Sequence, residues 1–463
     1  MLKIIPFCIP ILLIIDIKKY KCYSFRKKTD IGLSGMGDGQ MISEELQVKF
    51  SELRKERQEL FKKFDRKYLR ANIRFMILGG IIGIFLAIYG IMADIKGLLP
   101  IDDFMILLVV GLVVILLIMY PLHIIIHEAG HLIFGLATGY RFLSFRIFST
   151  IFYKRDGKII RRQYSVKGTA GQCLMYPPKR SADGRYPYVL YNLGGGLNNL
   201  IFSVPFIIPT IWAKSLNVQV LCGSWIFIGV LTALSNLIPL TIIVQNDGMN
   251  LKSMLKDKTM VDAFYLQLQV NGQMSDGKQI TEYPPETFDL PEGADNTNML
   301  TAFADLYGYY QQLAFHNLDE AKLRLDKMEE NISSYKLATM NMIMLERLFL
   351  NIVQHKPLEE IAVLYERYRM ALKVSKTNIS IQRVRYIYET YLSEEDKRDI
   401  MTLIKKKRPK KWKETDKDKL YKDFLKTARN FPVAGEADMF VDIVEYLREM
   451  KIKEKEEKNE KED

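Results

Sequence analysis

The chain has 463 residues, 48% of them hydrophobic, and a formal net charge of +12, so it is long enough for two or three domains. The apolar residues are concentrated in runs between positions 74 and 244, and the C-terminal half is rich in charge. We therefore expect a membrane part joined to a soluble part. Much of the excess positive charge lies beside the apolar runs, as at the cytoplasmic side of a membrane. The chain carries no RNP, zinc-finger or helix-turn-helix signature, which argues against nucleic acid as a partner.

The first residues contain one apolar run, at 4–17, which is too short for a secure membrane span. Three interpretations of the segment 1–43 stay open: a short anchor, a signal-like segment, or an extension upstream of a start at Met36 or Met41. Lysines rather than small residues follow the run, which disfavours a cleaved secretory signal.

Residues 44–73 predict an amphipathic cytosolic helix, because apolar side chains recur at helical spacing among many charged ones. The apolar positions are Phe50, Leu53, Leu60, Phe61, Phe64 and Tyr68. Two interpretations are open: the helix packs against a neighbouring helix, or it lies on the membrane surface.

Residues 74–255 contain the long apolar runs and predict a membrane domain with four spans. The predicted spans are 75–93, 104–136, 188–213 and 218–244. Pro121 lies inside the second run and predicts a kink there, because proline removes one helical hydrogen bond and crowds the preceding turn.

The charges of the connecting loops orient these spans. The loop 94–103 is acidic, whereas 54–74 and 139–187 are strongly basic. Four spans with both termini in the cytoplasm put each basic loop on the cytoplasmic side, whereas splitting 104–136 into two spans would put the most basic loop outside. We therefore expect a multi-pass protein of a bacterial cytoplasmic membrane.

The long basic loop also alternates apolar and polar residues over 141–176, on both sides of Asp156-Gly157. Such alternation is typical of strands, and Asp-Gly is a strong signal for a two-residue hairpin turn. We expect a small antiparallel sheet at the cytoplasmic membrane surface.

The remainder of the chain predicts a soluble part. Residues 256–297 predict a linker, because Gly, Pro and acidic residues are frequent there. Residues 298–451 have a helical pattern, in which 313–328 and 351–368 look alike and resemble tetratricopeptide-type hairpins; the tail 452–463 is a solvated charge run. The predicted fold class is mainly α: a polytopic membrane helix bundle with a small β-hairpin sheet, followed by a cytosolic all-α helical-repeat domain.

The chain contains only five histidines, and three of them are His123, His127 and His131. HEAGH at 127–131 is an HExxH motif, whose two histidines lie on one helix face and can reach one metal ion. Two neutral imidazoles and a carboxylate suit Zn²⁺, which lowers the pKa of a bound water to about 7, and Glu128 can take that water's proton. The alternative is a chance pattern of core residues, which is disfavoured because an ionisable Glu at membrane depth is costly.

A third ligand must come from elsewhere in the chain. Asp247 follows the last span at its cytoplasmic end, and His131 lies near the cytoplasmic end of its own span, so their depths match. The alternative is that Asp247-Gly248 is only a helix-terminating turn. His123, one turn before His127, either supports or gates the site or is a polar residue that faces the bundle interior.

HEAGH inside a span, followed by a second span and by Asp-Gly at the end of a third, resembles the site-2 protease family of intramembrane zinc metalloproteases. The resemblance implies that His127, His131 and Asp247 are zinc ligands, and that Glu128 is the catalytic base. It covers about 104–250, which is less than half of the chain.

Two further segments carry the resemblance. Asn236 and Pro239 match the family's Asn-x-x-Pro segment, and GGGLNN at 194–199 resembles its Gly-Gly-Pro-Leu-x-Asn element. The resemblance implies substrate-binding or oxyanion-supporting roles for Asn199 and Asn236. This chain departs from the family in having Gly196 where proline is usual, and in a longer stretch before the Asp-Gly.

The family hydrolyses transmembrane or membrane-adjacent peptides, so the resemblance implies a zinc endopeptidase that acts on a membrane peptide or protein within the lipid bilayer, near the cytoplasmic face. Hydrolysis needs an extended backbone, and the hairpin at 151–165 either offers a strand edge to the substrate or only shields the site. The other function considered is a membrane-anchored helical-repeat scaffold with a degenerate metal site. In either case, 298–451 is a candidate for binding a protein partner.

Overall fold

The computed structural model describes the chain from residue 43 to residue 462 with gaps. The described residues are 43–66, 69–70, 106, 111, 115–155, 157–164, 169–241, 245–375, 377–405, 412 and 414–462. The N-terminal run at 4–17 and the first predicted span, 75–93, lie outside these ranges.

The described chain is mainly α-helical and has one four-stranded antiparallel sheet, in agreement with the predicted class. The helices are α1 (44–66), α2 (Tyr120–Ala137), α3 (Tyr188–Ile201), α4 (Ile207–Trp212), α5 (Leu216–Leu237), α6 (Asp247–Lys256), α7 (Lys258–Ser275), α8 (Met299–Ala314), α9 (Leu318–Glu330), α10 (Leu337–Val353), α11 (Leu358–Val374), α12 (Ile379–Tyr391), α13 (Glu394–Lys405), α14 (Lys417–Arg429) and α15 (Ala434–Glu462). The strands are β1 (Arg141–Ile147), β2 (Thr150–Arg155), β3 (Lys158–Gln163) and β4 (Gly171–Tyr176).

Three helical stretches among the described residues are long and apolar enough to cross a membrane: Leu117–Ala137, Tyr188–Trp212 and Asn217–Leu237. They coincide with the second, third and fourth predicted spans. Their outer surfaces carry exposed apolar side chains, such as Ile211 and Trp212, which suits contact with lipid rather than water.

Prolines set the irregularities of these stretches. A π-helical turn, Ile115–Met119, leads directly into α2, whose first turn contains Pro121. Met119, the residue before α2, has a helical φ of −64° and ψ of −46°, so Pro121 lies within a continuous helical stretch and removes one of its backbone hydrogen bonds. The third stretch is interrupted by a short 3₁₀ turn, Val204–Phe206, between α3 and α4. Helix α5 ends at Leu237, ahead of Pro239, so the fourth predicted span is too long.

The sheet has the strand order β3-β2-β1-β4, and its neighbouring strands are antiparallel. Arg155 pairs with Lys158, which leaves Asp156 and Gly157 between the paired positions. Gly157 has a φ of +74°, a conformation that glycine adopts without strain. The predicted hairpin is therefore confirmed. Strand β1 begins just after α2 ends, so the sheet lies at the C-terminal end of that helix.

Helix α1 packs into the core of the C-terminal helices. Its Phe50, Phe61 and Phe64 side chains are buried there. On its polar side, Arg54 donates hydrogen bonds of 2.8 and 2.5 Å to the two carboxylate oxygens of Glu366 in α11. Of the two interpretations of this segment, packing against neighbouring helices is therefore correct and the membrane-surface helix is wrong.

The segment predicted as a linker, 256–297, is largely folded, so that prediction is wrong. Helix α7 buries Met260, Phe264 and Leu268 in a second core, which also contains Met175 of β4. The spacing of four between these apolar residues is helical, but the Gly- and Pro-rich stretch after α7 hid the pattern when the segment was considered as a whole.

The two similar segments of the C-terminal part have the same local geometry. His316 follows the end of α8 and His355 follows the end of α10, both with positive φ, 61° and 51°. Another helix begins shortly after each of them. The repeated sequence pattern therefore corresponds to a repeated helix–turn–helix unit in the structure.

A buried charged pair lies inside the larger core. Glu346 of α10 pairs with Arg383 of α12. The Glu346 carboxylate also accepts hydrogen bonds from Tyr309 and Tyr310 of α8, at 3.0 and 2.9 Å. The Arg383 guanidinium bonds Glu346 through one nitrogen, and it lies 4.0 Å from the ring centroid of Phe349, while its Nε and Nη1 atoms have no hydrogen-bond partner among the described residues. The pair and the two tyrosines join α8, α10 and α12.

Candidate metal centre

Helix α2 presents the two histidines of the HEAGH motif on one face. The Nε2 atoms of His127 and His131 are 3.1 Å apart. The carboxylate oxygen Oδ2 of Asp247 lies 3.1 Å from the first of these atoms and 3.3 Å from the second. All three side chains are buried. The structure thus brings together the three residues that the sequence predicts as ligands.

Asp247 is the first residue of α6, and the residue before it, Asn246, caps that helix. The side-chain oxygen of Asn246 accepts hydrogen bonds from the backbone N–H groups of Leu240 and Met249, at 3.0 and 2.9 Å. Its amide nitrogen donates to two carbonyl groups at the end of α5, at 2.8 and 2.7 Å. Sequence reasoning missed Asn246, although an asparagine directly before a helix start is a known capping signal.

Two further features fix the position of Asp247. A Cβ at Gly248 would overlap the carbonyl oxygen of Leu237, so the start of α6 can lie against the end of α5 only with glycine there. An isolated antiparallel bridge joins Thr241 to Gln245. This bridge brings Thr241 and Gln245 together in the segment between α5 and α6. The longer stretch before the Asp-Gly therefore does not move Asp247 away from the end of α5.

Helix α3 approaches the centre so closely that it requires glycine. A Cβ at Gly195 would overlap the imidazole of His127. A Cβ at Gly196 would stand 2.5 Å from Cγ of Leu237, at the end of α5. Gly196, which replaces the proline of the family pattern, therefore serves the contact between α3 and α5.

The backbone holds His131 in one tautomer. Its Nδ1 lies 2.7 Å from the carbonyl oxygen of Tyr191, which can only accept, so Nδ1 carries the proton. The Nε2 atom of a neutral His131 therefore presents its lone pair to the centre, as a metal ligand must. The Tyr191 hydroxyl donates to the carbonyl of Cys173 at 2.9 Å and so ties α3 to β4.

Asn199 lies between His123 and His127. One end of its amide is 3.1 Å from Nδ1 of His123, and the other end is 3.1 Å from Nδ1 of His127. Both ends of the amide are therefore engaged with histidines, and the predicted substrate-binding or oxyanion role of Asn199 stays a prediction. Asn236 is buried and donates to the Thr232 carbonyl of its own helix at 2.8 Å, and its predicted role stays a prediction.

The Glu128 carboxylate lies on the backbone at the start of β4, where a Cβ at Gly171 would overlap it. Arg146 of β1 is buried nearby and donates to the carbonyls of Gly171 and Phe148, at 3.3 and 2.7 Å. Burial lowers the pKa of Arg146, although electrostatic interactions with Tyr164 and Glu128 oppose this shift. In the sequence, Arg146 is one of many basic residues of its loop, so its position beside Glu128 was missed.

The donor set fits Zn²⁺. At bond lengths of about 2.0–2.1 Å, tetrahedral ligands are separated by about 3.3 Å. The three donor atoms here are separated by 3.1, 3.1 and 3.3 Å. Two imidazoles with one carboxylate are also ligands of catalytic zinc sites, which leave a fourth position for water. Among the described residues, His127, His131 and Asp247 form a group that can hold one metal ion.

No protein-family model matches the chain, and neither a curated protein nor a solved structure matches it. The candidate metal centre is therefore supported by the geometry of this chain alone.

Proposed function

We propose that this chain is a membrane-embedded zinc endopeptidase of the kind that the site-2 protease resemblance implies. The observation that carries the proposal is the convergence of His127, His131 and Asp247 beside Glu128, next to helices apolar enough to cross a membrane. Ionisable groups at membrane depth are costly, and they are usually retained for function. The proposed substrate is a transmembrane or membrane-adjacent peptide.

Each side chain of the metal centre would have its own role in the reaction. His127, His131 and Asp247 would each hold the metal through one atom. When bound, Zn²⁺ lowers the pKa of a coordinated water to about 7 and polarises a carbonyl group. Glu128 is the residue next to His127 in the motif and lies beside the three donors, so its carboxylate would take a proton from the attacking water and return it to the leaving amine.

The sheet suggests where an extended substrate would lie. Of its two edge strands, β4 begins at Gly171 against Glu128, whereas β2 and β1 separate β3 from β4. A substrate strand could pair with an edge strand through backbone hydrogen bonds. We therefore propose β4 as the substrate edge, because the hairpin at 151–165 supplies the distant edge of the sheet.

The shared core of α1 and the C-terminal helices implies an even number of membrane spans between them. Helix α1 shares a core with the C-terminal helices, so both would lie on the same side of a membrane. The three candidate spans between them would put them on opposite sides, whereas a fourth span at 75–93 restores the same side. Since the loops next to these parts are basic, we propose the cytoplasmic side of a bacterial membrane.

We propose that the C-terminal helices form a tetratricopeptide-like module that recruits a substrate or a regulator. The matching turns at His316 and His355 support this proposal. If the metal centre were degenerate, this module would be the active part of the protein, which would then be a membrane-anchored scaffold.

The test compares cells that carry the wild-type chain with cells that carry Glu128→Gln. We expect the purified variant to contain as much zinc as the wild type, while one membrane peptide that the wild type cleaves accumulates uncut. Asp247→Asn is the matched variant and should lose both zinc and cleavage. A wild-type protein without zinc, or a membrane peptide profile that Glu128→Gln leaves unchanged, would refute the protease and favour the scaffold.

A further inference from the structure

A row of buried polar groups leads from α5 to the metal centre. The carbonyl oxygen of Trp225 is 3.1 Å from Nε2 of His123. Nδ1 of His123 is 3.1 Å from the amide of Asn199, and the other end of that amide is 3.1 Å from Nδ1 of His127. His123 and Asn199 are both fully buried, so each contact must be matched in donor and acceptor.

The first group of the row determines the direction of every bond in it. A carbonyl oxygen can only accept, so Nε2 of His123 must donate to Trp225. In a neutral imidazole the other nitrogen must then accept, so the amide of Asn199 must turn its nitrogen toward His123. In the structure the oxygen Oδ1 has that position. The two ends of an amide have the same shape, so the hydrogen bonds decide between them, and they require the half-turned amide.

With the amide turned, Oδ1 of Asn199 faces Nδ1 of His127 and can only accept from it. The proton of His127 is then fixed on Nδ1, and the lone pair on Nε2 points at His131 and Asp247. With the opposite amide orientation, Nδ1 of His127 accepts, and Nε2 carries a proton directed at the Asp247 carboxylate 3.1 Å away. That arrangement leaves no lone pair for a cation.

We propose that His123 and Asn199 are positioning residues that hold His127 in its metal-binding tautomer. This inference rests on the proposed zinc site. The same principle applies to His131, whose proton is held on Nδ1 by the Tyr191 carbonyl oxygen. His123 itself is held by ring contact with Trp225, with the ring centroids 4.4 Å apart.

Substitutions that keep shape but remove hydrogen bonding test the proposal. In the purified full chain, the zinc dissociation constant is measured by competition with a chelator for His123→Leu, Asn199→Leu and the double variant. We expect each single variant to bind zinc about 10–100-fold more weakly, the usual cost of removing support from a metal-binding histidine. The double variant should resemble Asn199→Leu, because both residues act through one row of bonds.

Two controls separate positioning from packing. Glutamine can donate to the Trp225 carbonyl and accept from Asn199, so His123→Gln should keep most of the zinc affinity that His123→Leu loses. Asn192→Leu removes another buried asparagine of α3, whose amide nitrogen bonds the Tyr188 carbonyl of the same helix at 2.8 Å, and should leave zinc affinity unchanged. The absorption spectrum of the Co²⁺-loaded protein should change in both leucine variants but not in His123→Gln.

The outcomes are distinct. Wild-type zinc affinity in His123→Leu, or equal losses in His123→Leu and His123→Gln, would refute the positioning role while leaving the zinc site intact. A wild-type chain that binds no zinc would instead refute the proposed function. If the leucine variants do not fold, the tautomer of His127 is read from its ¹⁵N chemical shifts in the wild-type protein. A proton on Nε2 in the metal-free protein would overturn the proposal.

Discussion

Replacing Gly195 with alanine tests whether the packing of α3 holds His127 in the metal centre. The added Cβ would stand 2.6 Å from Cε1 of His127 and closer still to Nε2. Ordinary contact begins at 3.4 Å, and Nε2 is closer to the added Cβ than Cε1 is, so the ring must retreat by more than the difference between 3.4 and 2.6 Å, which is about 0.8 Å. Metal–ligand distances tolerate only about 0.2 Å, so His127 would no longer reach a shared ion.

We therefore expect Gly195→Ala to weaken zinc binding by at least about 10–100-fold. Overpacking should also cost about 1–3 kcal/mol of folding stability. The assay is the zinc content of the purified protein, by mass spectrometry, together with chelator competition. The matched control is Gly223→Ala in α5, where the nearest atom, Cγ2 of Thr210, would be at an ordinary 3.6 Å.

Normal zinc affinity in a destabilised Gly195→Ala protein would refute this reasoning, because the ring would then have moved without leaving the metal. Equal losses of zinc in Gly195→Ala and Gly223→Ala would attribute the effect to general damage of helix packing. Only a selective loss at position 195 supports the geometric argument.

Three further substitutions address separate parts of the molecule. Gly171→Ala should displace the Glu128 carboxylate and reduce peptide cleavage while zinc content stays normal, because Glu128 is not a ligand. Asn246→Ala should lower stability by about 1 kcal/mol and weaken zinc binding, because it removes the cap that positions Asp247. A loss of stability with unchanged zinc affinity would contradict this positioning role. Glu436 has its pKa raised from 4.5 to about 7 by burial, so its contribution to stability is greatest below pH 4.5 and is lost as the pH rises through 7. Glu436→Gln should remove up to about 3 kcal/mol of the pH dependence of folding stability. The variant should have a higher Tm than the wild type at pH 8 but not at pH 4, and a pH profile of Tm equal to that of the wild type would contradict this prediction.

The buried polar groups of the two cores have different consequences. In the Glu346–Arg383 pair, the carboxylate accepts from two tyrosine hydroxyls and the guanidinium lies against the Phe349 ring, so the pair serves the packing of the C-terminal helices. The polar groups around His127 are instead directed toward one point, where three donor atoms meet. Convergence of donors, rather than burial itself, distinguishes a candidate ligand site from a structural network.

Features that depend on near neighbours in the chain could be predicted from the sequence. His127 and His131 are one helical turn apart, so any helix through HEAGH puts both on the same face. The Asp156-Gly157 turn could be predicted because a two-residue hairpin needs residues that accept positive φ. The three long apolar helices could be predicted because uninterrupted apolar runs of that length are typical of helices that can cross a membrane.

Features that depend on distant parts of the chain were decided by tertiary structure alone. The partner of α1 and the burial of α7 depend on which apolar faces meet, and periodicity does not specify a partner. Asp247 lies within 3.3 Å of both histidine nitrogens, and this reach depends on Asn246 and on close backbone contact at Gly248. Donors and acceptors act over about 3 Å, so the roles of such residues emerge only when helices far apart in sequence are packed together.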